Sequence, residues 1–327
     1  MPALTSIHPE KVLFIALAPS GFYRSQLIKG VPQLFIGPDV DSDDFIAQAP
    51  RLVLRNEWLD AKRLLPALNE LDWIPDITFV KADATCRNHI QGISTLPGLK
   101  VLLMGDTHHL RNPLQTMLAY AKNEPWDLIS SEHDRHHLPL FFQAGLSKLI
   151  WLPCFSMNPI QLLPQVATDP RPVFVGSLSS HHRQRQRTIA RLQAYGLDIM
   201  TAVASQEQAA QLYNRHSVSL NVSLNGDFNF RIMEVLASGG CLLTDRLGPD
   251  SGLDLLLEEG VHYLAYGTAV EAAEKIRWLE AEPDQRLSIA QAGHKRFWSC
   301  VSPVLQTEAL LETLSGRPTP QLFCAPR

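Results

Sequence analysis

The stretch Asn225-Gly226-Asp227-Phe228-Asn229-Phe230-Arg231-Ile232-Met233-Glu234-Val235-Leu236-Ala237-Ser238-Gly239-Gly240-Cys241-Leu242-Leu243-Thr244-Asp245 reads as a polar loop, a short helix, a glycine stop and a buried strand. Asn225, Asp227 and Asn229 are cap or Asx-turn residues. Ile232, Val235 and Leu236 form a core-facing stripe, Gly239-Gly240 supplies a left-handed cap, and Cys241 to Thr244 is an apolar run of strand length. Arg231 and Glu234 stand three apart and project from one side of the helix. A cation in the first turn opposes the helix dipole unless an anion is near. Phosphate docked on the free N–H groups of that turn resolves the conflict. The carboxylate one turn deeper then accepts from paired hydroxyls, such as those of a ribose. The alternative is a surface ion pair between Arg231 and Glu234, and spacing alone leaves both readings open.

The chain around this stretch is 327 residues long, enough for two domains with separate cores. It is 45% hydrophobic and 19% charged with a formal net charge of −4, and no basic run or aromatic-basic interleaving marks a nucleic-acid surface. Cys86, Cys154, Cys241, Cys300 and Cys324 are scattered without a C-x-x-C pair, which points to buried thiols in a reducing compartment. The N-terminus lacks the pattern of a signal peptide, and the apolar run Val12 to Ala18 is too short to span a membrane. A cytoplasmic protein without a transmembrane segment is the expectation.

Val12 to Ala18 has the continuous apolar character of a parallel strand covered on both faces. Pro19-Ser20-Gly21 breaks it at its carboxyl end, where open α/β sheets gather ligands. Gly21 is therefore a candidate ligand-binding residue. Short apolar runs at Leu34 to Gly37, Leu52 to Leu54, Ile77 to Val80, Val101 to Gly105, Leu128 to Ser130 and Leu149 to Leu152 alternate with helical patterns such as Trp58 to Leu71 and Pro113 to Lys122. This alternation predicts a doubly wound α/β domain over residues 1–155. Prolines 153, 159, 164, 170 and 172 mark a linker over 156–172. A second α/β series fills 173–302 from Val173-Phe174-Val175-Gly176-Ser177 onward. A final helix over 303–314 is placed as packing back on the first domain, and 315–327 reads as a loose tail.

The order of the second series resembles the C-terminal half of GT-B glycosyltransferases, particularly the CgeB/YkvP-like group-1 transferases. The residues that carry it are Val173 to Ser177 with Arg183 downstream, Ser219 to Val222, Asn229 to Asp245 with its R-x-x-E-x-x-A-S-G-G core, Gly260 to Tyr266 and Ile289 to Gly293. The match spans about residues 170 to 314. It implies two Rossmann-like domains facing a cleft, with a nucleotide-diphospho-sugar donor bound by the second and an unknown sugar, lipid or protein acceptor entering from the first. Carried over by position, Glu234 holds the donor ribose. Arg231 and Arg183 meet the diphosphate, and Gly176, Ser177 and Asn229 line the same site. The family's second glutamate falls at Gly226, with Asp227 or Asn225 as substitutes, so retention of anomeric configuration is an inclination of the family pattern only. Cations and helix termini stabilise a leaving diphosphate without a metal or other cofactor. Asp41-Ser42-Asp43 has the letters of a metal-binding triplet but sits in an acidic loop that reads as a solvated turn.

Asp106, His108 and His109 follow a strand and read either as acceptor-activating groups or as a polar loop. His133 and His137, with His136, Glu132 and Asp134 around them, have an i, i+4 spacing that can hold zinc on a helix, but no third ligand is evident. His181, His182, Arg185, Arg187 and Arg191 read as the solvated face of a basic helix. Two other functions share the fold or the binding site: a nucleotide-sugar epimerase, and a catalytically silent nucleotide-sugar-binding protein, which the glycine at 226 keeps open.

Overall fold

The computed structural model describes residues 7–18, 20–39, 50–108 and 110–325, so Pro19, Asp41-Ser42-Asp43, His109 and Pro326 lie outside the described residues. The chain divides into two compact units, residues 1–158 with 303–327, and residues 159–302.

Among the described residues the first unit holds seven strands: β1 (Val12–Ile15), β2 (Gln33–Gly37), β3 (Arg51–Val53), β4 (Ile77–Ala82), β5 (Leu99–Met104), β6 (Leu128–Ser131) and β7 (Leu149–Trp151). Their order is β3-β2-β1-β4-β5-β6-β7, every pairing parallel. Covered on both faces, a central strand needs no polar side, and Val12 to Ile15 are all fully buried. Helices α1 (Ala61–Glu70), α2 (Pro113–Asn123) and the short α3 (Leu138–Gln143) connect the strands. Asp60 starts α1 by accepting from the Lys62 amide at 3.0 Å.

The second unit has β8 (Val173–Val175), β9 (Met200–Ala202), β10 (Ser219–Asn221), β11 (Leu242–Asp245) and β12 (Leu264–Tyr266). They run parallel in the order β9-β8-β10-β11-β12, so the winding reverses between β8 and β10. Around them lie α4 (Arg183–Ala194), α5 (Gln206–Arg215), α6 (Phe230–Ala237), α7 (Leu253–Leu256), α8 (Ala269–Ala281) and α9 (Pro283–Arg296). Ile232, Val235 and Leu236 of α6 are fully buried. Gly239 ends that helix in the left-handed conformation, φ +72°, where a side chain would also strike the backbone of Pro164.

Helix α10 (Pro303–Leu314) belongs to the first unit. Its Ala309 and Leu310 join a core with Val12, Phe14, Phe79 and Phe155. Gln306 donates to the Pro153 carbonyl at 2.7 Å and Thr307 to the Leu27 carbonyl at 2.9 Å. The tail expected to be loose is packed instead. Residues Gln321–Phe323 form a 3-10 turn, Phe323 enters the same core, and Cys324 bridges to Ile150. The prolines at 318 and 320 stop a helix, but they do not stop an apolar side chain three residues later from being buried.

Candidate functional site

In open α/β sheets ligands gather outside the carboxyl ends of the strands where the winding reverses. In the second unit that point is flanked by the ends of β8 and β10, and Arg231 of α6 spans it. Its Nε donates to the Val175 carbonyl at 2.7 Å and its Nη1 to the Asn221 Oδ1 at 2.9 Å. The guanidinium lies 4.5 Å from the centre of the Phe174 ring. Asn221 is itself tied: its amide donates to Thr244 at 2.9 Å, and its carbonyl accepts from the Tyr266 hydroxyl at 2.9 Å. Gly176, at φ +150°, follows β8, and a Cβ there would overlap the Nη2 atom of Arg231. Glycine is what lets the strand end and the guanidinium share this space.

Glu234 lies one turn further along α6, half-buried, and accepts from the Tyr213 hydroxyl at 3.5 Å. Burial pushes its pKa up, against the charge of Arg231 and the Tyr213 bond, which pull it down. No ion pair joins Arg231 to Glu234 among the described residues, so the alternative of a surface pair is not realised. Asn229 occupies the N-cap of α6, yet its side chain makes no capping bond, and its Oδ1 and Nδ2 are both buried without a partner among the described residues.

The basic helix departs from its expected reading. Arg183 is exposed at the start of α4, whereas Arg185 is buried, donates to the Val222 carbonyl at 3.0 Å and sits 5.9 Å from the Phe174 ring. Burial first, and the charge of Arg231 second, lower its pKa to about 10, with Asp227 and Asp245 opposing. It therefore stays charged at neutral pH. Arg185 is the cation that sequence reasoning assigned to solvent. The signal was present, because Arg185, Ile189 and Leu192 recur at i, i+4 and i+7 and share the buried face of α4.

Asp227 is engaged in holding its own loop: it is buried, and its Oδ1 accepts from the amides of Leu224 at 2.8 Å and Asn225 at 3.3 Å. This occupies the carboxylate that was a candidate to replace the missing glutamate. Gly226 beside it has φ +75°, with no atom near where a Cβ would stand. Ser177 accepts from the Ser179 amide at 3.2 Å in the loop after β8. Asp245, at the end of β11, accepts from the amide of Ser223 at 2.8 Å and from its hydroxyl. Burial raises its pKa.

In the first unit, Gly21 lies in a short 3-10 turn, Ser20–Phe22, after β1. Asp106 is not the carboxylate beside His108. His108 donates from Nδ1 to Asp134 at 2.8 Å, and Asp106 lies instead 3.9 Å from the Nε2 of His133. The reason is topological, since β5 and β6 are parallel neighbours whose following loops meet, which brings residue 108 to residue 134. Burial opposes ionisation of Asp134, but the bond and charge of His108 and the Thr107 amide hold its pKa down at about 2. His133 and His137 do not share a helix, because Arg135–His137 is a 3-10 turn and α3 begins only at Leu138. Close by in sequence, Lys81 of β4 forms a buried ion pair with Glu132, and the Ser156 amide and hydroxyl donate to Glu132 at 2.7 and 2.8 Å. Among the described residues, no helix is long and apolar enough to cross a membrane.

Residues 178–312 match the family described as Glycosyl transferase-like. Sucrose-phosphate synthase from Thermosynechococcus elongatus is similar over 94% of this chain and 99% of its own, with a TM-score of 0.65 at 12% identity. Anabaena HepE, solved in complex with UDP and glucose, is similar over 94% of this chain and 100% of its own, with a TM-score of 0.67 at 15% identity. The lipopolysaccharide outer core galactosyltransferase WaaB, in its apo form, is similar over 94% of this chain and 99% of its own, with a TM-score of 0.55 at 14% identity. No curated protein sequence matches. Two parallel-stranded Rossmann-like units define the fold as GT-B. Over residues 178–312, which take in most of the second unit and part of α10, the chain is similar to that glycosyl transferase-like family.

Proposed function

We propose that the protein transfers a glycosyl group from a nucleotide-diphospho-sugar held by the second unit to a hydroxyl-bearing acceptor served by the first. The observation that carries this reading is Arg231, fixed by Val175, Asn221 and Phe174 at the point where the winding of the second sheet reverses. Such a cation is preorganised and needs no rearrangement as negative charge develops on a leaving diphosphate. Arg185 adds a second buried positive charge beside it. The free N–H groups at the start of α6 and the unpartnered amide of Asn229 supply neutral donors for phosphate oxygens. Glu234 accepts from the ribose hydroxyls, Tyr213 holding it from the far side. With two arginines at hand, the diphosphate is neutralised without a metal. Uracil is the first base to try, since HepE was solved with UDP.

A second reading, binding of the nucleotide sugar without turnover, draws on one observation. Gly226 supplies no carboxylate, and that of Asp227 is tied to backbone amides. Incubation with UDP-sugars and no added acceptor separates the readings. Slow hydrolysis followed by proton NMR of the released sugar supports the transferase, and the anomer first formed reports retention or inversion. A C2-epimer supports an epimerase, while tight binding without turnover supports the silent protein.

A further inference from the structure

We propose that Asp134, His136 and His137 of the first unit form a binding site for a divalent transition-metal cation of the zinc class, separate from the donor site. One carboxylate oxygen and one ring nitrogen from each histidine lie within 4.8 Å of one another. Ligands of a tetrahedral zinc stand about 3.4 Å apart at bond lengths near 2.05 Å, so small side-chain rotations in the turn Arg135–His137 complete the geometry.

What distinguishes this cluster from scattered surface groups is the shell that orients it. Asp134 is fully buried and fixed at 2.8 Å by each of the Thr107 amide, the Thr107 hydroxyl and the His108 Nδ1. The same Thr107 hydroxyl lies 2.6 Å from the Nδ1 of His137. Because the hydroxyl proton is given to Asp134, His137 must donate from Nδ1, which leaves the lone pair of its Nε2 free to bind a cation. Second partners of this kind set the tautomer and aim of metal ligands. The two histidine rings lie 4.1 Å apart between centres, at 53°, an approach that would be repulsive with both protonated and is favourable when both face a shared cation.

A set of two nitrogens and one oxygen suits zinc, cobalt or nickel better than magnesium or calcium, which prefer oxygen alone. Three protein ligands leave a fourth position for water or for a hydroxyl oxygen.

The test uses the full chain, stripped with a chelator and titrated calorimetrically with zinc chloride. One equivalent should bind, with affinity falling at least about tenfold in His136→Gln and in His137→Gln, while His181→Gln, an exposed histidine elsewhere, should bind as the wild type does. Circular dichroism checks that each variant is folded, and half-exposed His136 is the decisive position should the Thr107 contact make His137→Gln unstable. With cobalt chloride the wild type should show the visible absorption of a four-coordinate ion, and His136→Gln should lose it. No uptake by the wild type, or equal affinity and an unchanged cobalt spectrum in folded His136→Gln, overturns the site. Neither readout depends on sugar transfer.

Discussion

The Nη2 atom of Arg231 occupies the space that a Cβ on Gly176 would need. Position 176 therefore controls whether the guanidinium can lie across the ends of β8 and β10. Two features usually treated apart, a glycine after a strand and an arginine in a helix, are one steric unit.

Gly176→Ala should displace Arg231 and strain a backbone held at φ +150°. The strain costs on the order of 1–3 kcal/mol, seen as a lower melting temperature. Affinity for UDP, measured by calorimetric titration at a temperature where the variant is folded, should drop by about tenfold or more, as for loss of one charged hydrogen bond. Wild-type affinity in the variant would mean that Arg231 does not contact the nucleotide.

Arg185 and Arg183 make opposite predictions. Arg183→Ala removes an exposed side chain and should change UDP affinity less than about twofold, the scale of a screened surface charge. Arg185→Met keeps the buried stem but removes the charge, and should weaken UDP binding by about tenfold or more. Reversed effects in a titration of both variants would restore the assignment of the first arginine.

Glu234→Gln keeps size and helix propensity while removing the charge that would strengthen the proposed bonds to the ribose hydroxyls. Donor affinity should fall about ten- to a hundredfold, matching about 1.5–3 kcal/mol. Stability should not fall, since burial already disfavours the ionised form of Glu234. A folded variant with undiminished UDP affinity would remove Glu234 from the donor site.

On the proposal that Arg231 and Arg185 supply the counter-charge, chelation should leave UDP affinity unchanged. A titration in EDTA that shows a large loss of affinity, restored by manganese or magnesium, would transfer that role to a metal.

Lys81 and Glu132 form a buried pair whose burial alone would neutralise both. Their mutual charge and hydrogen bond win, so the pKa of Lys81 is raised and that of Glu132 lowered. The lowered Glu132 contributes stability that is present above the ordinary glutamate pKa and lost as pH falls through its depressed value. The raised Lys81 contributes stability that is lost only as pH rises through a value above the ordinary lysine range. Urea unfolding of the first unit should therefore be insensitive to this pair from about pH 5 to 10 and weaken below. Glu132→Ala leaves Lys81 buried alone and should cost about 3–5 kcal/mol, much of it recovered in Lys81→Met with Glu132→Met. Equal stability of the single variant and the wild type would show that water reaches the pair.

Much of the fold was legible because a parallel strand covered on both faces leaves a continuous apolar trace. Val12–Ile15, Ile77–Ala82 and Leu128–Ser131 all lie on runs visible in the sequence. Helix α6 and its glycine stop were equally plain, since cap, stripe and left-handed residue agree within fifteen positions. The pairing of His108 with Asp134 was not legible, because it depends on β5 and β6 lying side by side. Nor was the fate of Asp227, which looks catalytic by position and is spent on the amides of its own turn. Arg185 was missed for a different reason. Its periodicity with Ile189 and Leu192 is visible, but it lies inside a run of charged and polar residues whose bulk character is that of a solvated face.

Phe323 and Leu310 complete a core that Val12 and Phe14 begin, with the whole second unit inserted between them in the chain. During synthesis the ribosome therefore delivers the second unit entire before the first has its last apolar side chains. A nascent chain released at Ser302 should carry a second unit that resists protease and a first unit that is cut. The order of maturation along this polypeptide is thus the reverse of its order of translation: what starts first finishes last.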